Sequence, residues 1–220
     1  MTTARAREIL RILKKDFSPP RWASSARSSF QTLVVTIISQ NTAGINTAKA
    51  FERLSKKFQI TPEALAKADE KDLQDVLRIA GLFRNKTKAI KRVSKIVLEE
   101  FNGSIDFIRS MPLEEARKKL LSLPGVGPKT ADVVLLFSGG KETIPVDTHV
   151  NRVSKRLGLA PKKSDYEGIR VALQTLYAPE DFLAVHLSLI SLGRKYCKAL
   201  RPICSQCPVS NLCPSKRAED

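Results

Sequence analysis

Four thiols crowded near the end of the chain are the most specific chemical signal in the sequence. They are Cys197, Cys204, Cys207 and Cys213, spaced Cys-x6-Cys-x2-Cys-x5-Cys, and the preceding 196 residues hold no cysteine. Disulfides that staple a fold are scattered along it, whereas thiols confined to one short segment fit a local metal site. Thiolates are the soft ligands that zinc and iron–sulfur clusters select. The spacing matches neither the usual zinc patterns nor the ferredoxin patterns, so by itself it leaves both centres open.

The second signal is Leu123-Pro124-Gly125-Val126-Gly127-Pro128-Lys129-Thr130-Ala131. Pro124 stops one helix and Pro128 suits the first turn of the next. Gly125 and Gly127 permit unusual dihedrals and the close approach of a large partner, and Val126 between them can plug the two helices together. A glycine-rich turn feeding a helix start presents backbone N–H groups and a positive dipole end, which suit a phosphate oxygen. A plain helix–turn–helix corner would use the same glycines. Lys129 falls at about the second position of the later helix, where the dipole opposes a cation and raises the share of neutral amine. Such an amine can attack C1′ of a sugar and form a Schiff base, and the same position equally serves a lysine that only touches phosphate.

Asp147 precedes a helical run carrying Val150, Val153 and Leu157 and reads as an N-cap. A carboxylate there can also stabilise positive charge on a reacting sugar or handle protons. His149 reads as a hydrogen-bonding residue of the helix start. His186, in an apolar stretch, reads as a satisfied core histidine. No Ser/His/Asp or Cys/His nucleophilic set is present.

The elements that must position these groups read as helices almost throughout. Ile9, Leu10, Leu13 and Phe17 give a 3.6-residue period over 4–15, which Pro19 and Pro20 end. Further helices are predicted at 28–38, 43–57, 70–79, 85–100, 113–122, 129–138, 148–157, 165–177 and 181–197, with no alternation that would make a sheet. Pro112, Glu114 and Glu115 suit the start of the 113–122 helix, and Lys118 and Lys119 its end. Ser138-Gly139-Gly140-Lys141 reads as a crossover loop. With 42% hydrophobic residues the chain can build a core, and its net charge of +16 favours a polyanionic partner, duplex nucleic acid first. No apolar run reaches ~18 residues and no signal-peptide core is present, so no membrane association is expected.

The hairpin, together with Val146-Asp147-Thr148-His149-Val150, Ser39-Gln40-Asn41-Thr42, Gly81-Leu82-Phe83 and the cysteine tail, resembles the endonuclease III superfamily of DNA glycosylases over most of the chain. The resemblance implies an all-α, two-lobed fold with a helix-hairpin-helix over about 113–138. Residues 23–137 would form a helical bundle, and 1–22 with 138–220 an iron–sulfur domain. It assigns the four cysteines to a [4Fe–4S] cluster, the nucleophile to Lys129 and the essential carboxylate to Asp147, facing each other across a DNA-binding cleft. It implies duplex contacts at Gly125, Val126, Gly127 and Thr130, a plug at Gln40 or Asn41 and an apolar wedge at Leu82. Arg84, Lys86, Lys88, Lys195, Lys198 and Arg201 become candidate phosphate contacts.

The activity implied is removal of oxidised pyrimidines from double-stranded DNA, followed by β-elimination at the abasic site. The protein would act as a monomer inside the cell, in the cytoplasm or on the nucleoid. The rivals are a glycosylase for uracil, thymine or mismatched adenine, a non-catalytic iron–sulfur DNA-binding protein, and a zinc-stabilised nucleic-acid module.

Overall fold

The computed structural model describes residues 2–17 and 27–216. The expected stop at Pro19 and Pro20 lies outside them. The fold is all-α: the described residues form twelve α-helices and no strand. They divide between two compact units, Ala26–Lys141 and Met1–Ser25 with Glu142–Asp220.

The first unit contains α2 (Ser29–Ser39), α3 (Gly44–Lys57), α4 (Pro62–Lys67), α5 (Glu70–Leu77), α6 (Phe83–Glu100), α7 (Phe107–Ser110), α8 (Leu113–Leu121) and α9 (Pro128–Gly139). Helix α2 begins with a reciprocal capping box, in which Gln31 N–H donates to Ser28 Oγ and Ser28 N–H donates to Gln31 Oε1, both at 3.1 Å. It is apolar nearly all round and packs against α9, α3 and α6; a helix of that composition must be enclosed. Leu33, Ile37, Leu54, Leu73, Ile90, Leu120, Val134 and Leu135 belong to one continuous core.

Hairpin helices α8 and α9 are also joined by a buried ion pair. Arg117 Nε donates to Asp132 Oδ1 at 2.9 Å and its Nη2 to Oδ2 at 3.3 Å. Removing one partner of such a pair costs about 3–5 kcal/mol, because the other charge stays buried. The pair therefore fixes the geometry of the turn that carries Lys129.

The second unit contains α1 (Thr3–Asp16), α10 (Thr148–Leu157), α11 (Tyr166–Leu176) and α12 (Phe182–Lys195). Helix α1 packs on α11 and α12 through its buried face of Ala6, Ile9, Leu10 and Leu13. Helices α10 and α12 meet at Gly193. A Cβ there would come within 2.9 Å of His149 Cβ and 3.2 Å of Val153, so only glycine permits this crossing.

Two short helices escape periodicity. Helix α4 has six residues and α7 four, too few for a 3.6-residue pattern, although Thr61 caps α4 at 3.2 Å and Pro62 begins it. The expected 70–79 helix ends at Leu77 and tightens into a 3-10 turn over Arg78–Ala80.

Candidate nucleic-acid interface and metal centre

In the hairpin, Gly125 has φ +78°, a left-handed conformation that disfavours any side chain. Gly127 is different. Its φ is −91° and a Cβ built on it meets nothing within 4 Å. Among the described residues nothing demands glycine there; the open space is suited to a partner's backbone. Gly127 is the N-cap of α9, and among the described residues no side chain caps that helix start. Lys129, half-buried, occupies its second position. Val126 and Thr130 are both buried. The side chain of Val126 thus plugs the hairpin and is not open to a duplex, and Thr130 can offer a partner only its backbone.

Gln40 and Asn41 sit at the end of α2 beside this hairpin. The Gln40 amide Nε2 donates to the Gly125 carbonyl at 3.0 Å and to Thr130 Oγ1 at 3.3 Å. Asn41 is exposed and left-handed, with φ +53°. Leu82, the N-cap of α6, is 57% exposed with φ +46°, so it is not a core leucine. Next to it, Phe83 is stacked by two guanidinium groups, Arg78 at 4.9 Å and Arg84 at 5.8 Å from the ring centroid. The expectation that Lys86 contacts phosphate is corrected: it is 4% exposed and turned inward.

Asp147 lies in the other unit. It caps α10, its Oδ1 accepting from Val150 N–H at 2.7 Å. The approach to it is locked: Thr143 to Val146 are buried, His186 Nδ1–H donates to the Pro145 carbonyl at 2.9 Å, and Val146 N–H donates to the Tyr166 hydroxyl at 3.3 Å. His186 is thus the satisfied core histidine expected, and it also steadies the segment that delivers Asp147. His149 Nδ1 pairs with Arg152 Nη2 at 3.1 Å. Burial holds its pKa below the ordinary histidine value, against the opposing pull of Asp147.

The four cysteines line one cavity with Leu157, Leu192 and Ile203. Burial pushes the thiols of Cys207 and Cys213 up, and the neighbouring sulfurs add to the effect. Thiolates held there need a cationic centre. Among the described residues no three His, Cys, Asp or Glu side chains converge to hold a metal ion; the four cysteines share the lining of one cavity. Three arginines absent from the sequence-based expectations build this loop. Arg152 Nε donates to Cys197 O at 2.9 Å and its Nη2 to Gly193 O at 3.0 Å. Arg156 donates to Lys198 O at 2.6 Å and Ala199 O at 2.9 Å, with Cys197 Sγ at 3.4 Å. Arg5 donates to Leu157 O and Leu212 O, each at 3.1 Å. Arg152 and Arg156 are one helical turn apart on α10, a weak signal; nothing local marks Arg5. Leu200 is 84% exposed beside Arg201, whose φ is +50°. Lys195 rests over the Tyr196 ring, 4.9 Å from its centroid.

The profile of the HhH-GPD superfamily base excision DNA repair proteins matches residues 34–179. Endonuclease III of Sulfolobus acidocaldarius is 34% identical over 208 residues, 94% of this chain and 91% of that protein. Endonuclease III of Escherichia coli is 32% identical over 220 residues, the whole of both chains. The solved structure of a trapped endonuclease III–DNA covalent intermediate superposes with a TM-score of 0.85 at 31% identity, covering 98% of this chain and 97% of that one. This chain therefore belongs to the endonuclease III family of the HhH-GPD superfamily of base excision DNA repair proteins.

Proposed function

We propose that the protein removes oxidised pyrimidines from duplex DNA and then cuts the strand at the resulting abasic site. The observation that carries the reading is Lys129 at the second position of a helix entered through an open, uncapped glycine turn. The backbone of Gly125, Gly127 and Thr130 holds the duplex by its phosphates without reading sequence. Asn41 fills the space left by the displaced nucleotide, since the amide of Gln40 is already engaged, and Leu82 parts the base step. Lys129 Nζ attacks C1′. The bond from C1′ to the base breaks, and the base leaves with a proton. Asp147 stabilises the positive charge growing on the sugar. Breaking the C1′–O4′ bond opens the sugar and gives the Schiff base; loss of a C2′ proton then expels the 3′ phosphate by β-elimination, and water hydrolyses the imine to release Lys129.

The family's [4Fe–4S] cluster would be held by Cys197, Cys204, Cys207 and Cys213, four half-buried thiols that line one cavity. When bound it would cross-link a DNA-contacting loop rather than take part in the chemistry of the cut. Lys198, Leu200 and Arg201 belong to that loop. Among the described residues no helix is long and apolar enough to cross a membrane; a DNA substrate supports a reading of the protein as acting inside the cell, and that reading takes it as a monomer.

Gly127 gives a clean check of the phosphate contact. Gly127→Ala should leave stability within about 1 kcal/mol, since its φ is ordinary and the space is open. Duplex affinity, read by fluorescence anisotropy, should fall about tenfold or more as the new methyl holds the backbone off. Unchanged affinity would remove this turn from the interface.

Substrate choice is tested by base release from duplexes carrying thymine glycol, uracil opposite guanine, or adenine in a mismatch. Release is expected to be fastest from thymine glycol. Release confined to uracil or adenine would move the protein to another specificity of the superfamily.

A further inference from the structure

Lys86 is the least exposed lysine or arginine of the described residues. The other buried cations face carboxylates, Arg117 with Asp132 and Arg170 with Glu167. Lys86 has only uncharged oxygens: its Nζ donates to Thr42 Oγ1 and, at 2.7 Å, to the Ala80 carbonyl. Thr42 Oγ1 itself donates to Ala80 O at 2.5 Å. Lys86 also stands in the first turn of α6, where the helix dipole opposes a cation. Burial holds its pKa below that of an ordinary lysine. A buried charge with neutral partners costs stability that a methionine would not. What it joins accounts for its presence.

One end of the joint is the Gln40–Thr42 loop and the other is the Ala80–Leu82 turn. Each carries a left-handed non-glycine residue, Asn41 and Leu82, and each projects that residue into solvent. Left-handed backbone costs roughly 1–2 kcal/mol per residue, and a leucine there is a genuine outlier. Such conformations last only where their surroundings hold them. Gln40, in the same loop as Thr42, donates from its amide to Gly125 and Thr130, at the start of the helix that bears Lys129.

We infer that Lys86 is a positioning residue: its buried ammonium clamps the Gln40–Thr42 loop to the Ala80–Leu82 turn, so that Asn41 and Leu82 enter the duplex as one preset wedge. This rests on the reading of Asn41 and Leu82 as the wedge. Presetting spares the protein the ordering of two strained loops at the moment of binding. Lys86 touches no DNA and acts only through the loops it joins.

The test uses a duplex with a tetrahydrofuran abasic analogue and 2-aminopurine opposite it, whose fluorescence rises on unstacking. The native protein should produce the rise. Lys86→Met keeps the apolar stem and drops the charge. It should melt close to native by circular dichroism, lose most of the rise at saturation, and bind about tenfold more weakly, the loss of one charge-assisted hydrogen bond. Combined with Leu82→Ala it should be no worse than Leu82→Ala alone, because both act on one device. A native-sized rise in Lys86→Met, or effects that multiply, overturns the clamp while leaving the wedge intact. If Lys86→Met does not fold, Thr42→Val breaks the same joint without touching the charge; a native-sized rise there overturns the proposal equally. No rise with native protein overturns the wedge reading, and the clamp with it.

Discussion

Lys129→Ala is expected to lower strand cleavage at abasic sites by roughly a thousandfold or more, because no other amine replaces the covalent route. Lys129 is half-buried at the second position of α9, so the substitution should not harm the fold. Removing a cation from the positive end of a helix should stabilise it slightly, within about 1 kcal/mol. Duplex binding should stay within a few-fold of native, because the hairpin backbone remains. The measurement is single-turnover cleavage of an abasic duplex beside an anisotropy titration. A variant that binds and no longer cuts assigns Lys129 to the chemistry. One that loses binding and cutting together reduces it to a phosphate contact.

Asp147→Asn is expected to lower the rate of base excision by about a hundredfold to ten-thousandfold. The substitution is chosen for the cap: asparagine is as good an N-cap as aspartate, so the bond to Val150 N–H and the start of α10 survive. Only the charge is lost. Asp147→Ala removes both, and should cost about 1 kcal/mol of stability as well. Single-turnover base release, compared between the two variants at equal folded fraction, separates the roles. Full activity in Asp147→Asn with a defect in Asp147→Ala would leave Asp147 a cap and nothing more.

Most of the helices were legible because they satisfy several local rules at once. The 43–57 and 148–157 segments combine a periodic apolar face with basic residues in the last turn, and Asp147 caps the second. Helix α9 was legible from Pro128 and its apolar run alone. The misses have physical causes. Helices α4 and α7 are too short to show a period, and the 3-10 turn after α5 ends at Ala80, whose carbonyl accepts from Lys86. At the site, residue type and spacing identified the groups with chemistry of their own, Lys129, Asp147 and the four cysteines, as candidates. They could not say which neighbours hold them. Lys86 reads locally as a solvated lysine on a basic helix. Its burial depends on Thr42, 44 residues away. Arg5 is tied to Leu212 across 207 residues. Side chains that serve by filling a tertiary gap carry no local mark. Leu82 shows the converse: a leucine flanked by glycine and phenylalanine could be core or wedge, and its exposure decides.

On the proposed mechanism Lys129 forms the covalent link to the abasic sugar. The most direct measurement is to trap the protein with borohydride on an abasic duplex, digest the adduct and locate the modified residue by tandem mass spectrometry. The deoxyribose remnant is expected on Lys129 Nζ. An adduct on another lysine or on the N-terminal amine, with Lys129 unmodified, would contradict it.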